Sequence, residues 1–316
     1  MRVLIVCSGN YPEPEKNFPL YQPFINEQIR SVSKHDILFD KYLIIGKGLF
    51  GYLSNVNKLR RIIKNTNYDL IHAHFGLSGL LSVFVSPIPV VITFHGSDVN
   101  ARKNRIFSLL ASRLSRANIF VNASLINRIK YKGEPNIIPC GVNIETFYPL
   151  NKISVRETLL FDNKKIYILF SGNFNNYIKN YALAKMTLDR IINYDICLVE
   201  LKNLSPSGVC MYMNAVDLFL MTSISEASPL VIKEAMACNC PIVSTNVGDV
   251  ENVIGDTDGC FITTYEVDDV VDKIRHAIDF AEKVGRTQGR IRIIDLGLDS
   301  ESIAKQILEV YKKALN

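Results

Sequence analysis

Residues 218–249 read LFLMTSISEASPLVIKEAMACNCPIVSTNVGD, and the order of apolar and loop residues in this segment indicates the fold class. The apolar residues that open it predict a strand, and the loop after this strand carries Glu226. A helix over 229–237 follows, with Ser228 as its N-cap and Pro229 at its first position. The apolar residues before the closing glycine turn predict a second strand. A strand, a helix and a strand in this order predict parallel neighbours joined through a helix.

The same alternation runs along the whole chain of 316 residues, which is long enough for two domains. Strands are predicted at 3–7, 40–45, 70–73, 90–94, 119–121, 165–170, 196–200, 217–221 and 241–244. Helices are predicted at 24–33, 55–65, 105–115, 180–193, 209–214, 229–237, 267–282 and 300–315. This rhythm predicts parallel sheets with both faces covered by helices. A segment rich in Pro, Gly and Asn at 137–149 predicts a linker between two domains.

The composition is that of an ordinary globular protein, with 48% hydrophobic and 21% charged residues, which excludes a disordered chain. The sequence contains no apolar run of the roughly 18 residues that a membrane span requires. The apolar run at the N-terminus is too short for a secretory signal and predicts a strand. Seven cysteines without a C-x-x-C pair favour buried free thiols in a reducing cytoplasm over a zinc site or a disulfide framework.

Charge is distributed unevenly along the chain. Residues 1–150 carry 18 Lys and Arg against 9 Asp and Glu, whereas residues 151–316 carry 18 against 22. A basic N-terminal half predicts peripheral contact with an anionic membrane leaflet or with a phosphorylated acceptor. A plain solvated face explains the same charges, and both interpretations stay open. No aromatic stacking pattern accompanies the basic residues, so nucleic-acid binding is not predicted.

Ligands of parallel α/β sheets bind where the strands end and the following loops begin. The helix that begins near 229 presents free amides and the positive end of its dipole, which suit a phosphate or another anion. Glu226 and Glu234 lie just before this helix and inside it. Carboxylates accept hydrogen bonds from hydroxyl groups, so this pair suits a sugar or a ribose. His72 and His74 alternate on a strand, and one of them is therefore expected to face the core.

These residues resemble a known family. The stretch from Glu226 to Asp249 is similar to the signature of glycosyltransferase family 4, which is E-G-x-P-x-x-x-x-E followed by an apolar helix, a short strand and a glycine turn. Residues 138–149 resemble the interdomain segment I-P-N-G-V-D-x-x-x-F-x-P of that family. The segments 71–74 and 93–98 match as well, so the resemblance covers nearly the whole chain in the expected order.

The resemblance implies the GT-B fold, in which two Rossmann-like, doubly wound parallel-sheet domains face a central cleft. An acceptor-side domain is expected at 1–146 and a nucleotide-sugar-binding domain at 147–300, with the last helix, 301–316, packing back on the first. The implied reaction is retaining and metal-independent, and it needs no cofactor. It transfers a hexose or N-acetylhexosamine from a nucleoside-diphosphate sugar to a hydroxyl of a glycan or lipid-linked acceptor, in cell-surface polysaccharide biosynthesis.

The resemblance also implies roles for single residues. Glu234 binds the ribose hydroxyls, and Glu226 lies near the transferred sugar and the leaving phosphate. Lys179 neutralises the diphosphate, and His95 contacts the donor sugar. The catalytic candidates are therefore His95, Lys179 and Glu226. The further donor-binding candidates are Gly9, Gly172, Asn173, Ser228, Pro229, Leu230, Val231 and Glu234.

Two departures from the family pattern keep other functions open. Many members carry an arginine near the diphosphate, but here Asn173, Asn175 and Asn176 leave Lys179 as the only evident cation. Ala227 stands where glycine is usual. The alternatives are a sugar-nucleotide epimerase of the same fold and a catalytically silent subunit that binds the donor and supports a partner enzyme.

Overall fold

The computed structural model describes residues 1–316, apart from the side chain of Lys103, and its chain divides into two compact units. The first unit comprises Met1–Gly141 and Ser300–Asn316, and the second comprises Val142–Asp299. The chain enters the second unit a few residues before the expected boundary at 146, because Val142 and Phe147 are buried in the core of that unit.

The first unit is built on a parallel sheet whose described strands lie in the order β2-β1-β3-β4-β5-β6. They are β1 (Arg2–Ser8), β2 (Leu38–Ile44), β3 (Leu70–His74), β4 (Val90–Phe94), β5 (Ala117–Phe120) and β6 (Asn136–Ile137). Every residue of β3 and β4 is buried. These strands lie between two helical layers, which is why they are nearly continuous apolar runs in the sequence.

The helices of the first unit up to the linker are α1 (Phe18–Tyr21), α2 (Pro23–Ser33), α3 (Gly48–Leu53), α4 (Val56–Asn65), α5 (Gly76–Val85), α6 (Ser97–Asn100), α7 (Arg102–Leu114) and α8 (Ser124–Ile129). Helix α5 was not predicted from the sequence. Its sequence, GLSGLLSVFV, has little amphipathic periodicity because most of its residues are buried between the sheet and the neighbouring helices. A helix that is apolar on all sides gives no periodic signal.

The second unit is built on a parallel sheet with its described strands in the order β11-β10-β9-β7-β8. The strands are β7 (Ile166–Phe170), β8 (Ile196–Glu200), β9 (Leu218–Met221), β10 (Ile242–Thr245) and β11 (Cys260–Thr263). The helices are α9 (Lys152–Thr158), α10 (Tyr181–Leu188), α11 (Pro206–Ala215), α12 (Leu230–Ala237), α13 (Val250–Ile254), α14 (Val267–Lys283) and α15 (Gly289–Asp295). One turn of 3₁₀ helix, Tyr177–Lys179, precedes α10.

The last helix, α16 (Ser300–Leu315), packs against α2 and belongs to the first unit. Its buried Ile303, Ile307 and Tyr311 join the core of the first sheet. The segments by which the chain enters and leaves the second unit lie side by side, and the amide of Val142 donates a hydrogen bond to the carbonyl of Leu298 at 2.9 Å.

The expectation that only one of His72 and His74 faces the core was wrong. Both side chains are fully buried. Residues i and i+2 of a strand lie on the same face, so both histidines project from one face of β3, where their rings stack at 4.4 Å. Helix α16 covers this face and contacts His72 through the hydroxyl of Tyr311, so neither ring reaches solvent.

Candidate functional site

In the second unit, the candidate residues lie on the loops that follow β7 and β9, two adjacent parallel strands. Gly172 follows β7, and a Cβ at this position would lie 3.2 Å from Cγ and Cε of Lys179. The glycine therefore gives the stem of Lys179 room to pass. The hydroxyl of Thr222, just after β9, donates a hydrogen bond of 2.9 Å to the carbonyl of Lys179. The amide of Ile224 donates to the carbonyl of Ile178 at 2.9 Å, so the two loops are bonded together.

This connection brings Lys179 and Glu226 into direct contact. Nζ of Lys179 lies 2.7 Å from Oε1 of Glu226, and the exposed fractions of the two side chains are 18% and 20%. Each residue was a catalytic candidate from the sequence. A mostly buried ion pair of this length places a fixed positive charge and a fixed carboxylate at the carboxyl-terminal edge of the sheet, the edge at which parallel α/β sheets generally bind ligands.

The start of α12 differs from the prediction. Ser228 is not the N-cap, because that position is taken by Pro229, which is in extended conformation with φ −68° and ψ 109°. The hydroxyl of Ser228 instead donates to Oδ2 of Asp249 at 2.6 Å and accepts from Nζ of Lys233 at 2.6 Å. The helix therefore begins at Leu230, with no side-chain oxygen on its first amides.

Lys233 is a second cation that the sequence did not identify as part of the site. Its side chain is fully buried, and its ammonium lies 3.4 Å from Oδ2 of Asp249. The other carboxylate oxygen of Asp249 is buried and has no hydrogen-bond partner among the described residues. Gly248, with φ +65°, lets this turn approach the loop, since a Cβ there would lie 2.5 Å from the carbonyl oxygen of Ala227.

Glu234 lies in the second turn of α12 and is partly buried. Burial raises the pKa of its carboxyl group to about 7, because the charged form loses hydration. A carboxyl group in this state gains from hydroxyl donors that a ligand brings.

The remaining candidates of the second unit shape the two loops. The side chain of Asn173 accepts a hydrogen bond of 2.9 Å from the amide of Asn175 and so caps the turn after β7. Leu230 and Val231 are partly buried at the start of α12 and pack against the core of the unit.

In the first unit, Gly9 follows β1 and its amide donates a hydrogen bond of 2.8 Å to the carbonyl of Ile44. A Cβ on Gly9 would lie 2.8 Å from Cβ of Leu43, so only glycine fits there without a shift. The amide group of Asn10 bonds both backbone groups of Gly46, at 2.8 and 2.9 Å. The loop after β1 is therefore tied to the loop after β2.

His95 directly follows β4 and is partly exposed. Its ring is held between Phe24 and Phe75, whose centroids lie 4.7 and 4.8 Å away. Phe75 has φ +71° and ψ 150°, a strained conformation for a bulky residue of the kind that clusters at functional sites. Burial lowers the pKa of His95 to about 3, so the ring is neutral at physiological pH.

Asp98 fixes the backbone around this histidine. Its carboxylate accepts hydrogen bonds from the amides of Gly76 at 2.9 Å, Gly96 at 3.0 Å and His95 at 3.2 Å. Burial nevertheless raises the pKa of Asp98 to about 6. Asp98 lies in the segment 93–98 that resembles the family, but the sequence alone does not show that its carboxylate accepts these backbone amides.

Within the part of the chain that the structure describes, no group of three or more His, Cys, Asp or Glu side chains is arranged to hold a metal ion. Over the same residues, no helix combines the length and the apolar character that crossing a bilayer requires.

Two family profiles match the chain. Residues 2–146 match "Glycosyltransferase Family 4", and residues 201–287 match "Glycosyl transferases group 1". An uncharacterized glycosyltransferase of Methanocaldococcus jannaschii is 27% identical over 289 residues, which cover 85% of this chain and 81% of the relative. The N,N'-diacetylbacillosaminyl-diphospho-undecaprenol alpha-1,3-N-acetylgalactosaminyltransferase of Campylobacter jejuni is 25% identical over 314 residues, which cover 84% of this chain and 82% of the relative.

Solved structures show the same fold at lower identity. Sucrose-phosphate synthase from Thermosynechococcus elongatus has a TM-score of 0.82 at 15% identity, with 99% of this chain and 98% of that chain covered. The Anabaena protein HepE in complex with UDP has a TM-score of 0.75 at 18% identity, with 99% and 100% covered. The two parallel α/β units are thus those of the GT-B fold, as predicted. With both profiles matched in order along the sequence, the chain belongs to the group 1 glycosyltransferases, family 4.

Proposed function

We propose that this protein transfers a hexose or N-acetylhexosamine from a nucleoside-diphosphate sugar to a hydroxyl of a glycan or lipid-linked acceptor, with retention and without a metal ion. The observation that carries the proposal is the Lys179–Glu226 ion pair at the edge of the second sheet. It places an ammonium group where loops and helix starts of parallel sheets hold phosphates.

The leaving nucleoside diphosphate gains negative charge as the bond to the sugar breaks. A preorganised ammonium at Lys179 and the free amides at the start of α12 stabilise that charge without reorganisation. The mostly buried position of the pair strengthens the interaction, because few water molecules screen it. These groups supply positive charge that a metal ion supplies in other transferases.

Glu234 is proposed to accept hydrogen bonds from the ribose hydroxyls of the nucleotide. Its raised pKa reflects a carboxyl group that burial has deprived of water. Two hydroxyl donors from a ribose compensate for that loss and favour the ionised form. To Glu226 we assign the position beside the transferred sugar, and to His95 a hydrogen bond to that sugar.

Retention follows from a front-face path in which the leaving diphosphate takes the proton of the acceptor hydroxyl. The phosphate oxygen that is released from the sugar becomes anionic. It is then the strongest base close to the reacting carbon. In this path, Lys179 stabilises the diphosphate and Glu226 holds the ammonium in place.

We further propose that the acceptor is lipid-linked and that the first unit contacts an anionic membrane. The Campylobacter jejuni relative acts, by its name, on a diphospho-undecaprenol carrier. In this chain, α3 has no buried residue, and Phe50 in it is 86% exposed. The next helix, α4, presents Lys58, Arg60, Arg61 and Lys64 to solvent. An exposed apolar helix beside a basic one suits the interface of an anionic bilayer.

The test is a screen of UDP- and GDP-sugars in the presence of EDTA, read by thermal shift and by nucleotide release. The wild type is compared with Lys179→Ala, Glu234→Ala and the exposed control Lys185→Ala. Stabilisation by one donor and slow hydrolysis, both lost in the first two variants and kept in the control, support the proposal. Epimer formation without an acceptor favours the epimerase, and tight binding without turnover favours the silent subunit. If Lys179→Ala and Glu234→Ala bind the donor as well as the wild type does, the assignment of these residues to the donor site is wrong.

A further inference from the structure

A chain of buried histidines runs behind His95 in the first unit. Nδ1 of His74 lies 2.9 Å from Nε2 of His95, because His74 ends β3 and His95 follows the adjacent parallel strand β4. The rings of His72 and His74 stack at 4.4 Å, and those of His74 and His95 stack at 5.2 Å. His72 is held in turn by Thr93 and by Tyr311 of α16, at 2.7 and 2.6 Å. These contacts fix the ring of His74 in one orientation.

The three rings are neutral. Burial lowers the pKa of His72 and of His95 to about 3, and it lowers the pKa of His74 as well. A neutral imidazole carries one ring N–H, and its other nitrogen is an acceptor. The bond between His74 and His95 therefore uses one proton, which belongs either to Nδ1 of His74 or to Nε2 of His95.

The far nitrogen of His74 decides between these two arrangements. Nε2 of His74 is buried and has no hydrogen-bond partner among the described residues. If His95 were the donor, Nδ1 of His74 would be the acceptor, and Nε2 of His74 would carry an unpaired buried N–H. If His74 is the donor, the same atom holds only an unpaired lone pair. Buried N–H groups without a partner are the rarer and costlier case, so the donor is His74.

We infer that His74 is a positioning residue that fixes the ring tautomer of His95, so that His95 carries its proton on Nδ1 and presents it to the sugar. This inference deepens the proposed function and rests on it for the identity of the ligand. Nε2 of His95 accepts the bond from His74, and Nδ1 of His95 has no partner among the described residues. Nδ1 is thus the ring nitrogen that is left to bind a ligand.

The arrangement also limits what His95 can do in the reaction. Its only lone pair on a ring nitrogen is occupied by His74, so His95 cannot take a proton from the acceptor hydroxyl. It acts as a hydrogen-bond donor to an oxygen of the transferred sugar. The proton must then go elsewhere, which agrees with a path through the leaving diphosphate.

The test is the ¹⁵N NMR spectrum of the histidine rings in the full chain, labelled at histidine. The sequence has five histidines, so each ring is assigned by one substitution. In the wild type, Nδ1 of His95 is expected to be a protonated, pyrrole-type nitrogen and Nε2 a pyridine-type nitrogen. His74→Phe keeps the stacked ring but removes the donor, and His95 should then shift toward protonation at Nε2. The exposed control His276→Phe should leave the His95 signals unchanged.

Activity gives a second readout. Losing one oriented hydrogen bond should lower kcat/KM of His74→Phe about tenfold relative to His276→Phe. A pyrrole-type Nε2 on His95 in the wild type overturns the inference, and so do unchanged His95 signals in His74→Phe. The wild-type spectrum decides even where that variant does not fold. Failure to bind any sugar nucleotide would instead count against the proposed function and leave the tautomer result standing.

Discussion

Nζ of Lys179 lies 2.7 Å from Oε1 of Glu226, although the two residues are separated by two strands and two helices in the sequence. Adjacent parallel strands bring their loops to the same edge, and the bond from Thr222 to the carbonyl of Lys179 fixes their spacing. The ammonium is therefore oriented by a carboxylate before any ligand binds. Preorganised charge of this kind stabilises a transition state more than a flexible surface lysine does.

Replacing Lys179 by Met should lower kcat by about 100- to 1,000-fold, as expected for the loss of one preorganised group facing the leaving charge. The donor KM should rise less, because the charge on the diphosphate increases as the bond breaks. Steady-state transfer assays with the identified donor measure both constants. Lys185→Met, on the exposed face of α10, is the matched control and should keep wild-type rates. Equal rates for the two variants would remove Lys179 from the mechanism.

Glu234→Gln should remove a pH-dependent loss of folding stability that the wild type suffers when the buried carboxyl group ionises. The carboxyl group has a pKa of about 7 in the folded protein, against about 4.5 in the unfolded chain. The folded state thus binds the proton more tightly than the unfolded chain does. The stability that this carboxyl group contributes is therefore fully present below pH about 4.5 and is lost as the pH rises through about 7. Glutamine does not titrate. The variant should be more stable than the wild type at pH 8, by on the order of 1–3 kcal/mol, and similar at pH 4.

Urea unfolding of both proteins at the two pH values measures this difference. The rise in melting temperature that the donor produces should also be smaller for Glu234→Gln than for the wild type, because an amide is a weaker acceptor for ribose hydroxyls than a carboxylate. A stability gain that is equal at pH 4 and pH 8 would show that the effect comes from packing and not from ionisation.

Nine of the eleven strands that the structure describes were predicted from the sequence, because buried parallel strands are short apolar runs. The two-residue strand β6 and the last strand of the second sheet, β11, were not predicted. Strand β8 was predicted with its observed bounds, as was α16. Helix α5 was missed because burial on nearly all sides removes its period. The N-cap of α12 was placed one residue early, since the hydroxyl of Ser228 bonds Asp249 and not the helix amides.

The site was predictable as a set of loops but not as a set of contacts. The contact between His74 and His95 depends on β3 and β4 being neighbours in register, which a single sequence does not state. Lys233 was not identified from the sequence, because a lysine on a helix is normally solvated and nothing in the spacing marks this one as buried. Its partner Asp249 belongs to a loop beyond the next strand, and no spacing rule connects the two.

Lys233→Met should destabilise the protein by about 3 kcal/mol, because it leaves the carboxylate of Asp249 buried without its cation. Adding Asp249→Asn removes the uncompensated charge, so the double variant should lose less than the single one. Urea unfolding of the two variants measures the coupling between the residues. Lys185→Met, whose side chain is exposed, should stay within about 0.5 kcal/mol of the wild type. A Lys233→Met protein as stable as the wild type would contradict the role given to this pair.

Phe50→Ser should weaken binding of the protein to vesicles that contain anionic lipid. Burying the side chain of Phe50 in the interface contributes about 1.5–3 kcal/mol, so its loss should lower the partition coefficient at least tenfold. Charge reversal by Arg60→Glu and Arg61→Glu should weaken binding further and reduce its salt dependence, because each basic residue near the surface contributes about 1 kcal/mol. Vesicle flotation at two salt concentrations measures both effects.

The matched control for this prediction is Leu160→Ser in the second unit, where Leu160 is 93% exposed and belongs to neither α3 nor α4. It removes a comparable exposed apolar side chain, so a general loss of surface hydrophobicity would affect both variants alike. Binding that falls in Phe50→Ser and not in Leu160→Ser assigns membrane contact to α3. Equal binding of the two variants, or no binding of the wild type to anionic vesicles at low salt, would make the exposed residues of α3 and α4 an ordinary solvated face.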